Sequence, residues 1–387
     1  MLPRLALLAL VLPIVTPGCA VRYDHTSHNA ISLTATAKRT DRLALDFGSA
    51  ERLVLANQYG TITITAARDH APELVATLSI HARDETEAAS LLEKFRIEIQ
   101  RNATTLEQVL RGEPVQVAAA GATFTIVPRI DFAVWVPEGK SVSVHSASGP
   151  ITAVGPFSAC DLDSGYGAVS VADCSGAAKL NSKSGNVRAS RVRGNLDAQS
   201  GYGKITLDSI SGTTVRASTS SGSIEIHDCS ATTIELETKY GPIDGSECTG
   251  AVAATSSSGK IRMRGLAGSI AAKSGYGPVE VEGKLVGLKA SSASGSVSAI
   301  VTEVLGDGSG SWELESQYGN VLLAVPASFG CELEATTGYG KIASGFAVTM
   351  NAGSPATQRL SGTIGKGGRA VKLATKSGKV TLEKRAP

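Results

Sequence analysis

The 387-residue sequence predicts an all-β protein: a single-stranded parallel β-helix, or β-solenoid, of about 18 residues per coil, with a small N-terminal β-rich cap containing one helix. Three observations predict it. Gly149, Gly167, Gly185, Gly203, Gly222, Gly241, Gly259, Gly277 and Gly295 recur at intervals of 18 or 19 residues, each followed two positions later by Ile or Val. Seven and five residues before these glycines a second apolar pair recurs, as in Leu196 and Ala198, Ile234 and Leu236, or Leu288 and Ala290. Both patterns are strand alternation with one buried face, so each unit holds two short strands separated by a Gly turn. The third observation is composition: 42 glycines with only 4% aromatics suit a thin, many-turned core.

Taken in order, residues 1–19 ("MLPRLALLALVLPIVTPGC") have one early Arg4, an apolar run and a small-residue end, the layout of a secretory signal. The run is too short to span a membrane. Gly18-Cys19 resembles a bacterial lipobox, with Thr16 where that pattern has Leu, which marks Cys19 for lipidation; cleavage after Ala20 is the alternative. Residues 20–41 read as a tether. Residues 42–140 read as the cap, with "LVLANQYGTITITA" already carrying a Tyr-Gly turn and "DETEAASLLEKF" (84–95) an amphipathic helix. Its expected task is to cover the open end of the stack, whose unpaired backbone groups invite aggregation. Residues 141–300 are the regular solenoid. Residues 301–387 continue it irregularly, with further turns expected at Gly319, Gly340, Gly362 and Gly378.

Charge decides how many units make a coil. Six residues before the turn glycine stand Asp161, Lys179, Asp197, Arg216 and Glu235, whose signs alternate if neighbouring units stack; a two-unit coil would stack acid on acid. One unit per coil is therefore expected. The residue just before the glycine alternates between Ser and Tyr, which would give each Tyr ring the room of two rungs to pack. Cys174, Cys229 and Cys248 fall seven after a turn glycine, in a column otherwise holding Val192, Ile210 and Leu266. That column points inward. Cys229 and Cys248 become vertical neighbours about 4.8 Å apart, within disulfide reach, with Cys160 and Cys174 as a less direct second pair and Cys331 left over. A reduced stack is the alternative, and a two-unit coil would separate Cys229 from Cys248 altogether.

Chemistry-bearing motifs dissolve into the repeat. A net charge of +2 and the lack of a basic stripe interleaved with aromatics argue against nucleic acid as a partner. "TTGYGK" echoes a potassium filter without its membrane helices. Ser146, Ser164, Ser182, Ser200, Thr219, Thr238, Ser256, Ser274 and Ser292 all lie three before the turn glycine, which makes them a hydroxyl ladder rather than nucleophiles. His25 and His28 fall in the tether, and the single "GDGSGSWELE" lacks the repetition of solenoid calcium sites. No catalytic residue, cofactor or metal is expected. The competing enzyme reading rests on Glu225, Asp244 and Glu280, with Arg262 between them, since a polysaccharide hydrolase needs two nearby carboxyls. A salt-bridge ladder accounts for the same column.

The order "VLANQYGTITITA", helix, "FAVWVPEGKSVSVHSASGPITAVG" and serial "SG-x-I/V" rungs resembles the bacterial putative-adhesin family of β-helical envelope proteins, over roughly residue 43 to the C-terminus. The regular spacing also resembles bactofilin-like solenoids, which are cytoplasmic. The adhesin resemblance implies a structural or adhesive role at the cell envelope and brings no catalytic residues. The expectation is an extracytoplasmic lipoprotein, periplasmic or at the cell surface, held to the membrane by its N-terminal lipid, with an envelope protein or surface glycan as partner. A carbohydrate-active β-helix and an envelope-stress sensor subunit are the alternatives.

Overall fold

The computed structural model describes residues 33–119, 122–306, 310–350 and 358–385. Cys19, His25, His28 and Asp307 lie outside them. Two compact units are present. Unit 2 holds Arg42–Val75, Ile99–Val109 and Asp131–Pro387, and it is the solenoid.

Parallel registers carry the stack through unit 2 with one sequence unit per coil. Asp161 pairs with Lys179, Lys179 with Asp197, Asp197 with Arg216 and Arg216 with Glu235, so opposite charges sit on neighbouring rungs. Between Ile205 and Ser292 the two strands of a rung merge into single runs of 14 or 15 residues. The first four of these change phase shortly after the turn. In Ile205–Thr219, Ile205 and Leu207 point inward, Asp208 and Ser209 both stay outside the core, and Ile210 is inward again. The phase slip is made by Ser209 in the left-handed region, φ 55, and the same column contains Asp173 at 61, Arg191 at 52, Asp228 at 49, Glu247 at 52 and Gly265 at 60. This corner aims the seventh residue after six of the turn glycines into the core: Cys174, Val192, Ile210, Cys229, Cys248 and Leu266 are all buried, whereas Pro156, Lys284 and Thr302, on rungs without it, are exposed. Inside, volumes are matched between rungs. Gly245 leaves the space that the Met263 thioether fills, its ideal Cβ lying 2.4 Å from Met263 Cε.

The regular stack begins earlier than the expected boundary at 141. Strand Arg52–Asn57 pairs with Ser141–Ser146, and Ile62–Ala66 pairs with Ile151–Phe157, so the Tyr59-Gly60 turn belongs to a solenoid rung. A still earlier layer is formed by Thr105–Arg111 and Arg129–Val136. The expected cap of residues 42–140 is thus divided between the two units.

The far end also departs from expectation. Arg369–Thr375 pairs with Ser311–Ser316, and Cys331–Thr337 pairs with Arg369–Thr375, so the spatial order of the turns is Gly319, Gly378, Gly340. Gly362 makes no rung turn; it lies in Arg359–Ile364, which runs antiparallel to Cys331–Thr337 and to the short strand Thr349–Met350. An antiparallel return of this kind ends the parallel repeat.

Unit 1 holds Ala76–Glu98, Leu110–Ile130 and the residues up to Asp41. Its helix, Glu85–Leu92, starts at Asp84, whose carboxylate accepts from the Glu87 amide at 2.8 Å, and buries Ala88, Leu91 and Leu92. It is shorter than the expected 84–95 because Glu93 already closes it. Arg39 then donates to the carbonyls of Leu92 and Phe95, at 3.0 and 2.6 Å, satisfying acceptors the helix end leaves open. Val115–Ala119 and Ala122–Ile126 form an antiparallel hairpin.

Candidate functional site

The turn edge of the solenoid is built from the inside out. Twelve consecutive registers join thirteen positions: Asn57, Ser146, Ser164, Ser182, Ser200, Thr219, Thr238, Ser256, Ser274, Ser292, Ser316, Thr375 and Thr337. These side chains are buried. Each hydroxyl from Ser164 onward accepts from the glycine amide three residues on and donates to the glycine carbonyl of the adjacent rung. Ser256 Oγ, for example, accepts from Gly259 N at 2.8 Å and donates to Gly241 O at 3.2 Å. The ladder is structural, as the sequence reading held. Ser256→Ala removes both bonds and leaves one buried and one partly buried backbone group without that partner, an expected loss of about 2 kcal/mol in urea unfolding. Ser256→Thr should be near neutral, because Thr219 and Thr238 already make the same pair of bonds. Equal losses for Ala and Thr would show that the hydroxyl is not what the position needs.

Outside this ladder stands a second column, one residue before each turn glycine. Read in spatial order it is Tyr59, Ser148, Tyr166, Ser184, Tyr202, Ser221, Tyr240, Ser258, Tyr276, Ser294, Tyr318, Ser377, Tyr339. Every tyrosine of the described residues is in it. The expectation that these rings pack between rungs fails: they are 48% (Tyr59) to 88% (Tyr339) exposed. The glycine beneath is pinned by its amide to the buried hydroxyl, so the turn is rigid and the ring is carried outward. At two rungs per tyrosine the spacing is about 9.6 Å, and the whole row spans about 58 Å.

The residues around the tyrosines share one sign of charge. Lys183, Lys239 and Lys376 stand two before a turn glycine, and Lys204, Lys260, Lys341 and Lys379 one after it. From three before to one after the glycine, no rung has Asp or Glu. Lys204 pairs with Glu225 at 2.6 Å and Lys260 with Glu280 at 2.6 Å. The other five are exposed and make no ion pair.

The acidic column two residues further along each strand is in register, with Glu225 on Asp244, Asp244 on Arg262 and Arg262 on Glu280. Arg262 lies 3.8 Å from Asp244 and 3.0 Å from Glu280. Burial alone would raise the Glu280 carboxyl, but hydrogen bonds from Lys260 and Arg262 hold it below its ordinary value. At the far end Glu313 and Glu315 share Lys372.

Cys229 and Cys248 are direct register partners on adjacent rungs, as one unit per coil requires. All five described cysteines are buried with free thiols. Burial pushes Cys229 up to about 12 and Cys248 up to about 11. Cys160 and Cys174 are registered with Ala178 and Val192 rather than with each other. The Cys160 thiol is raised, first by hydrogen bonding with the Cys174 thiol and then by burial. Among the described residues no group of three His, Cys, Asp or Glu is placed to hold a metal ion. Nor is any described helix long and apolar enough to cross a membrane.

Sequence reasoning found the Ser/Tyr alternation but missed its outward direction and its lysine flanks. The signal was present in the two columns beside the turn, which contain lysine on six of the thirteen rungs and acid on none.

Residues 51–306 match the family model described as Toastrack DUF4097. No curated protein matches the sequence. Three solved structures are similar: a putative cell adhesion protein from Clostridium sporogenes (11% identity, 90% of this chain and 100% of that one, TM-score 0.20), a putative adhesin from Bacteroides fragilis (10%, 90% and 97%, TM-score 0.25) and a putative lipid binding protein from Parabacteroides distasonis (13%, 90% and 97%, TM-score 0.29). At these scores the likeness carries no argument about function.

Proposed function

This chain belongs to the Toastrack DUF4097 family, and from that premise we propose that it is an exported, lipid-anchored, non-enzymatic β-solenoid with an adhesin-like role at the bacterial cell envelope, displaying its turn edge to a partner. One observation carries this reading. At the far end the Tyr/Ser alternation follows position in space and not order along the chain: along the chain Tyr318 is followed by Tyr339 and then Ser377, whereas in the stack Ser377 lies between the two tyrosines. A duplicated sequence unit would copy the alternation only along the chain. Its persistence where stack order departs from chain order supports selection on the exposed edge itself. The acidic column supports the non-enzymatic part, since its carboxylates are held by Lys204, Lys260 and Arg262. A general acid needs a raised pKa, opposite to the shift at Glu280.

Two measurements test the reading. Wild type is expected to partition into detergent, and Cys19→Ser to shift it to soluble or uncleaved protein, because acyl chains supply the membrane affinity; an aqueous wild type after signal cleavage would refute the anchor. In pull-downs on whole envelopes the chain should be retained, with Glu225→Gln and Asp244→Asn retained equally. Polysaccharide turnover abolished by either substitution would replace the adhesin reading with an enzyme.

A further inference from the structure

We propose that the turn edge binds an extended β-1,4-linked polysaccharide carrying carboxylates, each tyrosine stacking on every second sugar while the flanking lysines meet the acid groups. The inference rests on the adhesin-like reading above and deepens it by naming the ligand chemistry.

Three features of the edge select this occupant. The first is chemical. A row of exposed aromatic rings on a backbone that cannot rearrange offers flat apolar faces, and the C–H face of a pyranose is the matching surface. Tyrosine does this at little entropic cost, having two side-chain torsions. Tyr202, Tyr240 and Tyr276 are 71%, 67% and 71% exposed and contribute little to the core.

The second is metric. In an extended β-1,4-linked chain successive sugars are turned over, so the same ring face returns once per disaccharide. Two rungs, about 9.6 Å, is close to the advance of one disaccharide. Tyrosines on every rung would meet alternate faces at half that spacing, and α-linked chains curl away from a straight row. The serines between the tyrosines leave the turned-over sugar room and offer it a hydroxyl. Each contact is weak, but a polymer that engages one pocket holds the next sugars at high effective concentration, so a row of this length multiplies the affinity.

The third is charge. Lys183, Lys239, Lys341, Lys376 and Lys379 are exposed without an ion pair, and no acid lies on the edge. A neutral glycan leaves those cations unused; a polyanion without sugar rings leaves the tyrosines unused. Of the acids beside the edge, Glu225 and Glu280 already hold Lys204 and Lys260, Asp163 meets His145 and Asn181, and Glu315 meets Lys372, which screens them from an anionic ligand; Glu237, four before Gly241, stays exposed.

Binding of the full chain is measured against four probes: carboxymethylcellulose, hydroxyethylcellulose as its neutral counterpart, polyglutamate as a polyanion without sugars, and vesicles of anionic phospholipid. Carboxymethylcellulose is expected to bind at least about tenfold more tightly than the other three. Tyr202→Ala with Tyr240→Ala and Tyr276→Ala should lose at least about tenfold of that affinity with an unchanged melting temperature. The discriminating variant is Ser258→Tyr combined with Tyr276→Ser. It keeps seven tyrosines on the edge and breaks only their period, and it should lose affinity nearly as far. Equal binding of polyglutamate, preferential binding of vesicles, no binding of carboxymethylcellulose, or full affinity in the period-breaking variant would each overturn the inference. Retention on whole envelopes in the same assay separates that failure from failure of the adhesin-like reading, which predicts envelope binding whatever the ligand.

Discussion

Gly241→Ala is expected to destabilise the solenoid by about 3 kcal/mol or more. The cause is close approach rather than backbone freedom. A Cβ at Gly241 would lie 1.9 Å from the Gly222 carbonyl oxygen, 2.5 Å from its carbon and 3.0 Å from the Ser223 nitrogen. All three are backbone atoms of the adjacent rung, and they are held there by parallel pairing on both sides of the turn. No side-chain rotation relieves the contact. Gly203 over Gly185 and Gly277 over Gly259 meet the same way, at 2.1 and 2.3 Å. Gly310 is the control: its φ of +90 strains a side chain, yet no described residue lies within 4 Å of its Cβ position, so Gly310→Ala should cost only about 1 kcal/mol. Urea unfolding followed by far-ultraviolet circular dichroism gives both values, and similar losses at the two sites would exclude rung-to-rung contact as the reason for the glycine column.

Trp312→Ala is expected to cost about 3–5 kcal/mol, with the damage concentrated in the terminal rungs. The indole is 1% exposed, donates to the Val286 carbonyl at 3.1 Å and stacks on Phe329 with centroids 5.4 Å apart. The Arg369 guanidinium lies 4.4 Å from its ring centre and is itself almost wholly buried, donating to the same Val286 carbonyl at 2.6 Å. Removing the indole opens a cavity and takes away the face against which a buried cation rests. Trp312→Phe keeps that face and forfeits mainly the N–H bond, about 1–2 kcal/mol. Because repeat proteins lose structure by neighbouring units, hydrogen exchange should accelerate in residues 311–326 and 369–385 while residues 205–256 keep their protection. Uniform acceleration along the chain would contradict this assignment.

The repeat was legible because its two strongest columns are local in sequence. A glycine and an Ile or Val two residues on recur at fixed intervals, and alternating charges at Lys179, Asp197 and Arg216 reported the vertical partner. The seventh-residue column was also read correctly as inward, although its cause, the left-handed corner at Ser209 and its equivalents, has no sequence signature when Asp, Arg, Ser and Glu all occupy it. Two things were hidden. Spatial order at the terminal turns depends on which strand edge is free when a strand arrives, and interval counting treats chain order as stack order. The tyrosines were misjudged because a regular aromatic normally signals burial, whereas here the buried position is taken by the hydroxyl two residues earlier, which turns the ring outward. The division of residues 42–140 was likewise invisible, since its segments return to the stack only after long excursions.

The interleaved order of the last strands also sets an order in time. From Ser141 to Pro326 each strand can be added as it emerges from synthesis, docking on the edge left by an earlier one. Cys331–Thr337 has no such place when it appears, because its partner Arg369–Thr375 comes more than thirty residues later. Until then the Ser311–Ser316 edge stays open, with its backbone groups available to any passing strand. The solenoid therefore grows like a zipper but finishes like a latch, and the interval between the two is when a half-made chain is most exposed to pairing with another.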